Sequence, residues 1–332
     1  MGGRIVWIDY AKSLCMFLVI LGHTHLQESQ HFVIQVIYSF HLPLFFALSG
    51  LLCKCGLSFA ALKKDATFLL LPYMFYGIIN LLFQTIISRD TGQMFLGFFA
   101  LCEGLDESIG AIWFLPALFV CKIVAQILFL IKERCIWLYC VLATSTFLFI
   151  FFFDQMHINL PLFADSGLCG LPFFILGREY MNMTSSRKNI LLTQKNSLII
   201  ASIALLLTVR LASKNEFVVL AICQYGSNFF IYYANALAGC VFMLSLSQFA
   251  ARWTNRFVFI TSYGSIFTLG MHGLVLSFFN YYFPKMLGLQ PNNYGLALAF
   301  VYAIITYMVC YYLIIKADHL CPQPFGLRGH LR

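Results

Sequence analysis

Residues 7–23 read WIDYAKSLCMFLVILGH, an apolar run that carries an aspartate, a lysine and a histidine. With its apolar flanks the run is long enough to enter a bilayer, because a spanning helix needs about 20 mostly apolar residues. Asp9, Lys12 and His23 each resist leaving water, and ionisable groups at membrane depth are functional candidates by default. The stretch therefore predicts a membrane helix that carries functional side chains.

The composition of the whole chain extends this prediction to the rest of the sequence. Of its 332 residues, 61% are hydrophobic and 10% are charged, and the mean hydropathy is +0.84. A soluble domain keeps about 25% of its residues charged, because its surface must be solvated. Most of this protein's surface must instead face lipid. The predicted fold class is an all-α polytopic integral membrane protein.

Apolar runs between polar breaks predict about ten transmembrane helices in a single domain, residues 1–332. The spans are about 5–27, 34–53, 67–88, 111–131, 136–153, 158–178, 197–212, 228–249, 259–283 and 293–316, and a short C-terminal tail begins at about 317. Residues 217–225 are too few to span as a helix, which leaves open a short re-entrant piece. Charged residues interrupt the apolar run behind Arg4, and no small-residue cleavage site follows. The N-terminus is therefore expected to be a retained helix and not a secretory signal.

The basic residues test this order of helices. With a cytoplasmic N-terminus, fifteen of the 21 Lys and Arg residues fall in inner loops and four in outer loops, in agreement with the positive-inside rule. Both termini are therefore predicted to be cytoplasmic. The net charge of +8 is attributed to topology and to anionic membrane lipid, and no nucleic-acid partner is expected. The glycosylation sequon 182–184 falls in an inner loop and should be inert.

The twelve cysteines show neither metal-site spacing nor a disulfide framework. Most of them lie in apolar runs, where cysteine acts as a small hydrophobic residue. Cys53 and Cys55 in CKC are a weak metal or redox signal, and packing is the preferred interpretation. No metal is expected.

The spacing within the first helix places Lys12 and His23 on the same helix face. Lys12 and His23 are eleven residues apart, which is about three turns and about 16 Å of rise, so both occupy one helix face. Asp9 lies three residues before Lys12 and can pair with it across one turn. Two other interpretations stay open. Asp9 and Lys12 can form an interfacial ion pair that reaches the headgroups, and His23 can be a packed histidine bonded to a backbone carbonyl.

The second span, IYSFHLPLFFALSG, adds His41, Pro43 and Ser49. It runs antiparallel to the first helix, so His41 can reach the depth of His23. Pro43 leaves a backbone carbonyl that needs another partner. His272 in TLGMHGLVL lies in the middle of the ninth span. For both histidines packing remains an alternative to function.

The combination of these groups suggests a chemistry. Histidine can take a proton from a hydroxyl and return it, because its unperturbed pKa lies near neutrality. A cation at the inner mouth can hold a phosphate or polarise a carbonyl. A path from Lys12 to His23 would serve a donor entering from the cytoplasm and an acceptor near the outer side. A proton-coupled transporter or flippase for a glycan or solute would use the same groups and stays the alternative.

Several motifs resemble those of a known family. RIVWIDYAKSLCMFLVILGH followed by FHLPLFFALSGLL is similar to the acyltransferase-3 family of integral membrane acyltransferases, and in particular to its fucose 4-O-acetylase-like branch. IWFLPALF, LPFFILGREY and SYGSIFTLGMHG occur in the expected order, so the resemblance covers about residues 4–275. The family pattern of a basic residue, ten further residues and an essential histidine matches Lys12 and His23. Lysine replaces the usual arginine and offers a point charge without bidentate contact.

The resemblance implies about ten transmembrane helices and a function. Members of this family transfer an acyl group, usually acetyl from acetyl-CoA, to a hydroxyl of a cell-envelope or exported carbohydrate. The implied location is the bacterial cytoplasmic (inner) membrane. The implied partners are acetyl-CoA, a carbohydrate acceptor and membrane lipid, with Lys63, Lys64 and Arg178 meeting the nucleotide end of CoA. The acceptor sugar, its hydroxyl, the acyl length and an inactive scaffold role stay open.

The resemblance also implies a role for each candidate residue. His23 is the expected general base toward the acceptor hydroxyl, or a transient acetyl carrier. Lys12 would steady the donor and would be oriented by Asp9. The remaining candidates for binding substrate or donor are His41, Ser49, Trp113 and His272. Trp113 can equally be an aromatic anchor at the membrane interface.

Overall fold

The fold was determined as a computed structural model. It describes residues 5–24, 31–53, 56–88, 97–98, 100–101, 107–153, 159–183, 196–253, 255–286 and 295–329. Within these ranges the chain is helical and forms no sheet, and one isolated antiparallel bridge pairs Val219 with Gln224. Arg4, Cys55 and the sequon threonine Thr184 lie outside the described residues.

The described chain forms thirteen α-helices. In order they are α1 Val6–Gly22, α2 His31–Tyr38, α3 His41–Leu51, α4 Phe59–Ser88, α5 Phe114–Arg134, α6 Ile136–Phe151, α7 Ala164–Asn182, α8 Ser197–Ala212, α9 Phe229–Ala250, α10 Arg256–Tyr263, α11 Ser265–Ser277, α12 Phe283–Met286 and α13 Leu296–Leu320. Short 3-10 turns at Glu107–Trp113, Pro161–Phe163 and Leu220–Ile222 precede α5, α7 and α9, and a π-helical turn at Phe278–Tyr282 joins α11 to α12.

The long apolar helices indicate an integral membrane protein. Among the described residues, five helical segments are long and apolar enough to cross a membrane, or six if the bent pair α10 and α11 forms one span. Large apolar side chains also point outward. Trp137 on α6 is 79% exposed and Leu206 on α8 is 71% exposed. Extended apolar surface of this kind suits lipid, whereas soluble monomers rarely carry it.

The predicted spans agree with the helices in position and differ from them in continuity. Each of the ten predicted ranges contains a helix of the structure, while ten crossings and cytoplasmic termini stay predictions. The predicted span 34–53 corresponds to one apolar helical segment, His31–Leu51, with a turn at Ser39–Phe40. The prediction of one continuous helix was wrong for 259–283, where α10 and α11 differ in direction by 83° on either side of Gly264. Helix α13 runs to Leu320, beyond the predicted start of the tail at about 317. Residues 217–225 contain the bridge between Val219 and Gln224 and the 3-10 turn Leu220–Ile222, and a re-entrant position in the membrane stays a prediction.

Hydroxyl contacts hold α1 inside the bundle. Ser13 Oγ lies 2.8 Å from Thr261 Oγ1 on α10, and Tyr307 OH on α13 donates to the carbonyl oxygen of Ser13 at 2.7 Å. Ser262 Oγ donates to Asp9 Oδ1 at 2.7 Å. Such bonds are stronger in a low-dielectric interior than in water. They fix the rotation of α1 about its axis, and with it the face that carries the ionisable groups.

A sharp bend at Gly264 brings the start of α11 beside α1. The axes of α10 and α11 differ by 83°. A β-carbon at position 264 would lie 2.4 Å from Ile314 Cδ1 on α13, so a larger residue would push α13 away. Glycine therefore permits the close packing of α13 against the break. Helix α11 begins within the bundle and not at its surface.

Residues 213–228, called the wall segment below, connect α8 to α9 and are organised by Asn215. The side-chain amide of Asn215 donates to the carbonyl oxygen of Tyr225 at 2.8 Å. Its Oδ1 accepts from the backbone N–H of Asn228 at 2.9 Å and from Ser227 Oγ at 3.1 Å. Gln35 Nε2 on α2 donates to the carbonyl oxygen of Asn215 at 2.6 Å. One buried amide thus fixes both ends of the segment.

Substitution of Asn215 by alanine is expected to destabilise the protein by about 1–3 kcal/mol, because partners in the interior lose their hydrogen bonds. The measurement is a melting curve in detergent, followed with a dye that reacts with cysteine thiols as they become exposed. The control is Lys214→Ala, whose exposed side chain neighbours Asn215 and should leave the melting temperature unchanged. Equal melting temperatures for the two variants would contradict the role given to Asn215.

Candidate active site

A cavity of about 330 Å³ lies between α1, α3, α5, α11 and the wall segment. It brings together five of the seven residues that the sequence predicts for the site. These five lining residues are Lys12, His23, His41, Ser49 and Trp113. Asp9 and His272 are not part of the lining.

Lys12 and His23 mark two ends of this cavity. They lie on one face of α1, about 16 Å apart along its axis, and both side chains line the same space. Ser49 on α3 and Ser265 at the start of α11 also line the cavity. Tyr38, whose ring centroid lies 6.1 Å from that of His23, lines it near the histidine, and the wall segment contributes further lining residues. The cavity therefore connects the cation to the histidine along the direction of α1.

The ring of His23 is held in one tautomer by its own helix. Its Nδ1 lies 2.7 Å from the carbonyl oxygen of Val19. A carbonyl oxygen can only accept, so Nδ1 carries the hydrogen in the neutral ring and Nε2 carries the lone pair. His23 is also the C-cap of α1, where the preceding carbonyls favour a positive charge. This arrangement suits a group that takes up a proton on Nε2.

Two further histidines repeat the same contact. Nδ1 of His41 lies 2.9 Å from the carbonyl oxygen of Ile37, and Nδ1 of His272 lies 2.9 Å from that of Thr268. Both rings are 2% exposed. Each therefore has its hydrogen on Nδ1 and its lone pair on Nε2 when neutral. Three imidazoles on three helices present the same basic nitrogen.

Direct ring contacts connect the histidines. The rings of His23 and His272 pack edge to face with centroids 4.9 Å apart. Tyr38 stands between the other two, 6.1 Å from His23 and 5.0 Å from His41 by ring centroids. Among the described residues, no hydrogen-bond partner reaches Nε2 of His272. His272 thus packs behind His23 and supports it, while His41 lies on the cavity wall.

Trp113 is placed as a wall residue and not as a surface anchor. Its side chain is 8% exposed, and it packs against Phe114 and Phe163 with ring centroids 6.2 and 6.0 Å away. Gly110 precedes it with φ of +73°, a backbone conformation that glycine adopts without strain. The 3-10 turn before α5 therefore bends toward the cavity and carries the tryptophan there.

The other predicted residues lie away from the cavity. Asp9 accepts its hydrogen bond from Ser262 on α10, and its pairing with Lys12 stays a prediction. Arg178 donates to the carbonyl oxygen of Cys53. Lys63 and Lys64 are exposed at the beginning of α4. Within the described part of the chain, no three His, Cys, Asp or Glu side chains are grouped as metal ligands.

Three parts of the lining were missed by the sequence analysis. Tyr38 stands three residues before His41 in the quoted second span, and that spacing was a signal that could have indicated it. Ser265 reaches the cavity because of the bend at Gly264. Leu220 and Ala221 reach it because the wall segment folds inward. Neither tertiary feature has a signal in the local sequence.

Comparison with known proteins assigns the family. Residues 5–315 match a family described as an acyltransferase domain. Nodulation protein NolL of Sinorhizobium fredii is 27% identical over 214 residues, which are 59% of this chain and 54% of that protein. Nodulation protein NolL of Mesorhizobium japonicum is 30% identical over 151 residues, which are 41% of this chain and 39% of that protein. The chain thus spans about half or less of each of these relatives.

No solved structure matches this protein. The family match nevertheless includes α1 with Lys12 and His23, and it extends into α13. The fucose 4-O-acetylase-like branch stays a prediction. Because the match covers nearly the entire chain, the protein belongs to the acyltransferase-3 family of integral membrane acyltransferases.

Proposed function

We propose that this protein transfers an acetyl group from acetyl-CoA to a hydroxyl group of a cell-envelope or exported carbohydrate. The observation that carries the proposal is the shared cavity of Lys12 and His23. A cation at one end and a basic imidazole nitrogen at the other are the two groups that such a transfer needs. The acyltransferase domain supports the reaction type.

The chemistry centres on Nε2 of His23. This nitrogen takes the proton of the acceptor hydroxyl as the oxygen attacks the thioester carbonyl of acetyl-CoA. The carbon–sulfur bond then breaks, the ester remains on the carbohydrate, and the coenzyme sulfur receives the proton. Nδ1 stays bonded to the carbonyl oxygen of Val19 throughout, so the ring keeps its orientation while Nε2 gains and loses the proton.

Two neighbours assist His23 in this proposal. His41 lines the same wall and accepts a hydrogen bond from the acceptor through its Nε2. His272 packs edge to face on His23, where its buried lone pair favours the imidazolium that forms during transfer. His272 is therefore a positioning residue, while His23 touches the reacting atoms.

The other end of the cavity suits the donor. The ammonium of Lys12 attracts a pantetheine phosphate of the donor, about 16 Å along α1 from His23, where the thioester carbonyl is attacked. Ser49 and Ser265 add hydroxyl groups to the cavity lining. At the acceptor end Tyr38 offers a flat aromatic wall beside His23, and Trp113 adds an aromatic surface to the cavity lining, as small-molecule sites generally do. The cavity thus has a charged donor end and an aromatic acceptor end.

The proposed membrane orientation agrees with the source of the donor. The predicted topology places Lys12 toward the cytoplasm, where acetyl-CoA is found, and His23 toward the outer side of a bacterial cytoplasmic membrane. The positive-inside distribution of the Lys and Arg residues supports this orientation. The acceptor then meets the acetyl group near the outer surface.

Transfer by purified protein in detergent tests the proposal against transport. Acetyl-CoA labelled in the acetyl group is mixed with the protein and with a carbohydrate fraction of the host envelope. Label in carbohydrate, absent with a purified unrelated membrane protein, is the expected result. Detergent removes the two compartments that a transporter needs, so a transporter would give no transfer. Label that stays in acetyl-CoA with every envelope fraction would overturn the proposal.

Replacement of Lys12 by methionine is expected to raise KM for acetyl-CoA by about 10-fold or more, because a hydrogen bond to a charged group contributes about 1.5–3 kcal/mol. Methionine keeps the length of the side chain and removes its charge. Initial rates are measured over a range of acetyl-CoA concentrations. The matched control is Lys214→Met, an exposed lysine of the wall segment, which should keep the wild-type KM. An unchanged KM in Lys12→Met would remove Lys12 from the donor site.

A further inference from the structure

Two cysteines meet where the wall segment packs against α7. The thiol of Cys169 on α7 and Cys223 in the wall segment are 3.1 Å apart at their sulfur atoms, although 54 residues separate them in sequence. Cys169 is 0% exposed and Cys223 is 1% exposed. Neither forms a disulfide in the structure. A disulfide sulfur pair lies about 2.05 Å apart, so an approach of about 1 Å would complete the bond.

Their surroundings hold the two sulfurs face to face. Tyr225 OH lies 2.8 Å from Cys169 Sγ, and the same hydroxyl reaches the carbonyl oxygen of Ile150 at 3.1 Å. Cys223 has φ of +56°, an uncommon conformation for a residue with a side chain. In this conformation the backbone reverses direction after the turn Leu220–Ile222, so that Gln224 pairs with Val219. The contact is therefore specified by the fold and not by chance proximity on a surface.

This pair lies next to the cavity wall. Leu220 and Ala221, three and two residues before Cys223, line the cavity. Ser166 Oγ on α7 donates to the carbonyl oxygen of Ala221 at 2.8 Å. The wall thus already has one polar tie to α7 beside the two sulfurs. A covalent bond at this place would fix the wall to α7 permanently.

We propose that Cys169 and Cys223 form a disulfide that fastens the wall segment to α7. The predicted topology puts the wall segment and the start of α7 on the outer side of the membrane, which in bacteria is the oxidising side. One thiolate attacks the disulfide of an external thiol–disulfide exchange protein, and the second thiolate displaces that protein. The two cysteines are oxidised, and the exchange protein's disulfide is reduced to two thiols, which take up both protons. The exchange precedes burial of the sulfurs in the folded bundle.

Alkylation before and after reduction tests this bond. The wild-type protein is prepared from a bacterial host without reductant, denatured in the presence of N-ethylmaleimide, and weighed by intact mass spectrometry. The chain has twelve cysteines, so ten adducts are expected without reduction and twelve with it. Proteolysis of the unreduced sample should also give one linked pair of peptides that contains Cys169 and Cys223. This second measurement needs no variant and is unaffected by any folding defect.

Single substitutions separate this pair from the other cysteines. Cys169→Ser and Cys223→Ser should each give eleven adducts whether or not the sample is reduced. The matched control is Cys310→Ser, a buried cysteine on α13, which should give nine adducts without reduction and eleven with it. Twelve adducts on unreduced wild-type protein, or a linked peptide pair with other cysteines, would overturn the proposal. These readouts do not depend on any acyltransferase activity.

Discussion

Replacement of His23 by alanine is expected to lower the rate of acetyl transfer by about 10²–10⁴-fold, the contribution of a positioned general base. Alanine removes Nε2, and with it the group that takes the proton of the acceptor hydroxyl. The fold should survive, because His23 stands at the C-cap of α1 and the hydrogen bond of its Nδ1 to Val19 stays within the preceding turn. Initial rates with acetyl-labelled acetyl-CoA give the size of the loss.

Two comparisons make this result specific. His319→Ala removes an exposed histidine at the end of α13 and should keep the wild-type rate. His23→Gln retains a polar side chain that cannot accept a proton at neutral pH, so it should be as slow as His23→Ala. A rate near that of the wild type for either His23 variant, in protein with an unchanged melting temperature, would return His23 to a packing role.

The sequence was sufficient for features that depend on short-range spacing. The position of Lys12 eleven residues before His23 places both on one face of any regular helix, and the structure has both on one cavity wall. The apolar runs located a helix in each predicted span because hydropathy is a local property. The family resemblance rested on contiguous motifs and is confirmed by the match over residues 5–315.

Features that depend on contacts between distant segments could not be predicted. The break at Gly264 packs against Ile314, fifty residues later, at the place where a side chain would stand. The inward path of the wall segment depends on hydrogen bonds between distant residues. Asn215 at its beginning bonds to Tyr225 and Asn228 near its end, and Gln35 on α2 donates to the carbonyl oxygen of Asn215. His272 looked like a candidate lining residue, yet its helix register places it behind His23. Hydropathy contains no information about which helices become neighbours.

The closest approach of two helix backbones, between α3 and α7, leads to the second prediction, a large loss of stability. A β-carbon at Gly177 on α7 would lie 2.0 Å from the carbonyl oxygen of Ala47 on α3. One at Gly50 on α3 would lie 2.0 Å from the carbonyl oxygen of Phe174 on α7. Backbone atoms cannot rotate away, so Gly177→Ala must drive the two helices apart. We expect a loss of about 3 kcal/mol or more, at or above the usual cost of overpacking, and little monodisperse protein in size-exclusion chromatography.

The matched control is Gly273→Ala on α11, where, among the described residues and apart from the adjoining residues and backbone of α11 itself, no atom lies within 4 Å of the added carbon. It should elute like the wild type and melt at the same temperature or above it, because alanine favours a helix over glycine by about 0.8–1 kcal/mol. A Gly177→Ala variant that melts like Gly273→Ala would show that α3 and α7 are not in backbone contact.

The double variant gives a sharper test of the same contact. Once α3 and α7 have separated to accept an alanine at 177, an alanine at 50 meets little further resistance. Gly50→Ala with Gly177→Ala should therefore cost clearly less than the sum of the two single losses, as coupled neighbours do. Helix α3 also carries His41 and Ser49 to the cavity. Displacement of α3 should therefore lower the rate of acetyl transfer per folded molecule, in addition to lowering the amount of folded protein. Full additivity of the two losses would mean that the glycines act at separate interfaces.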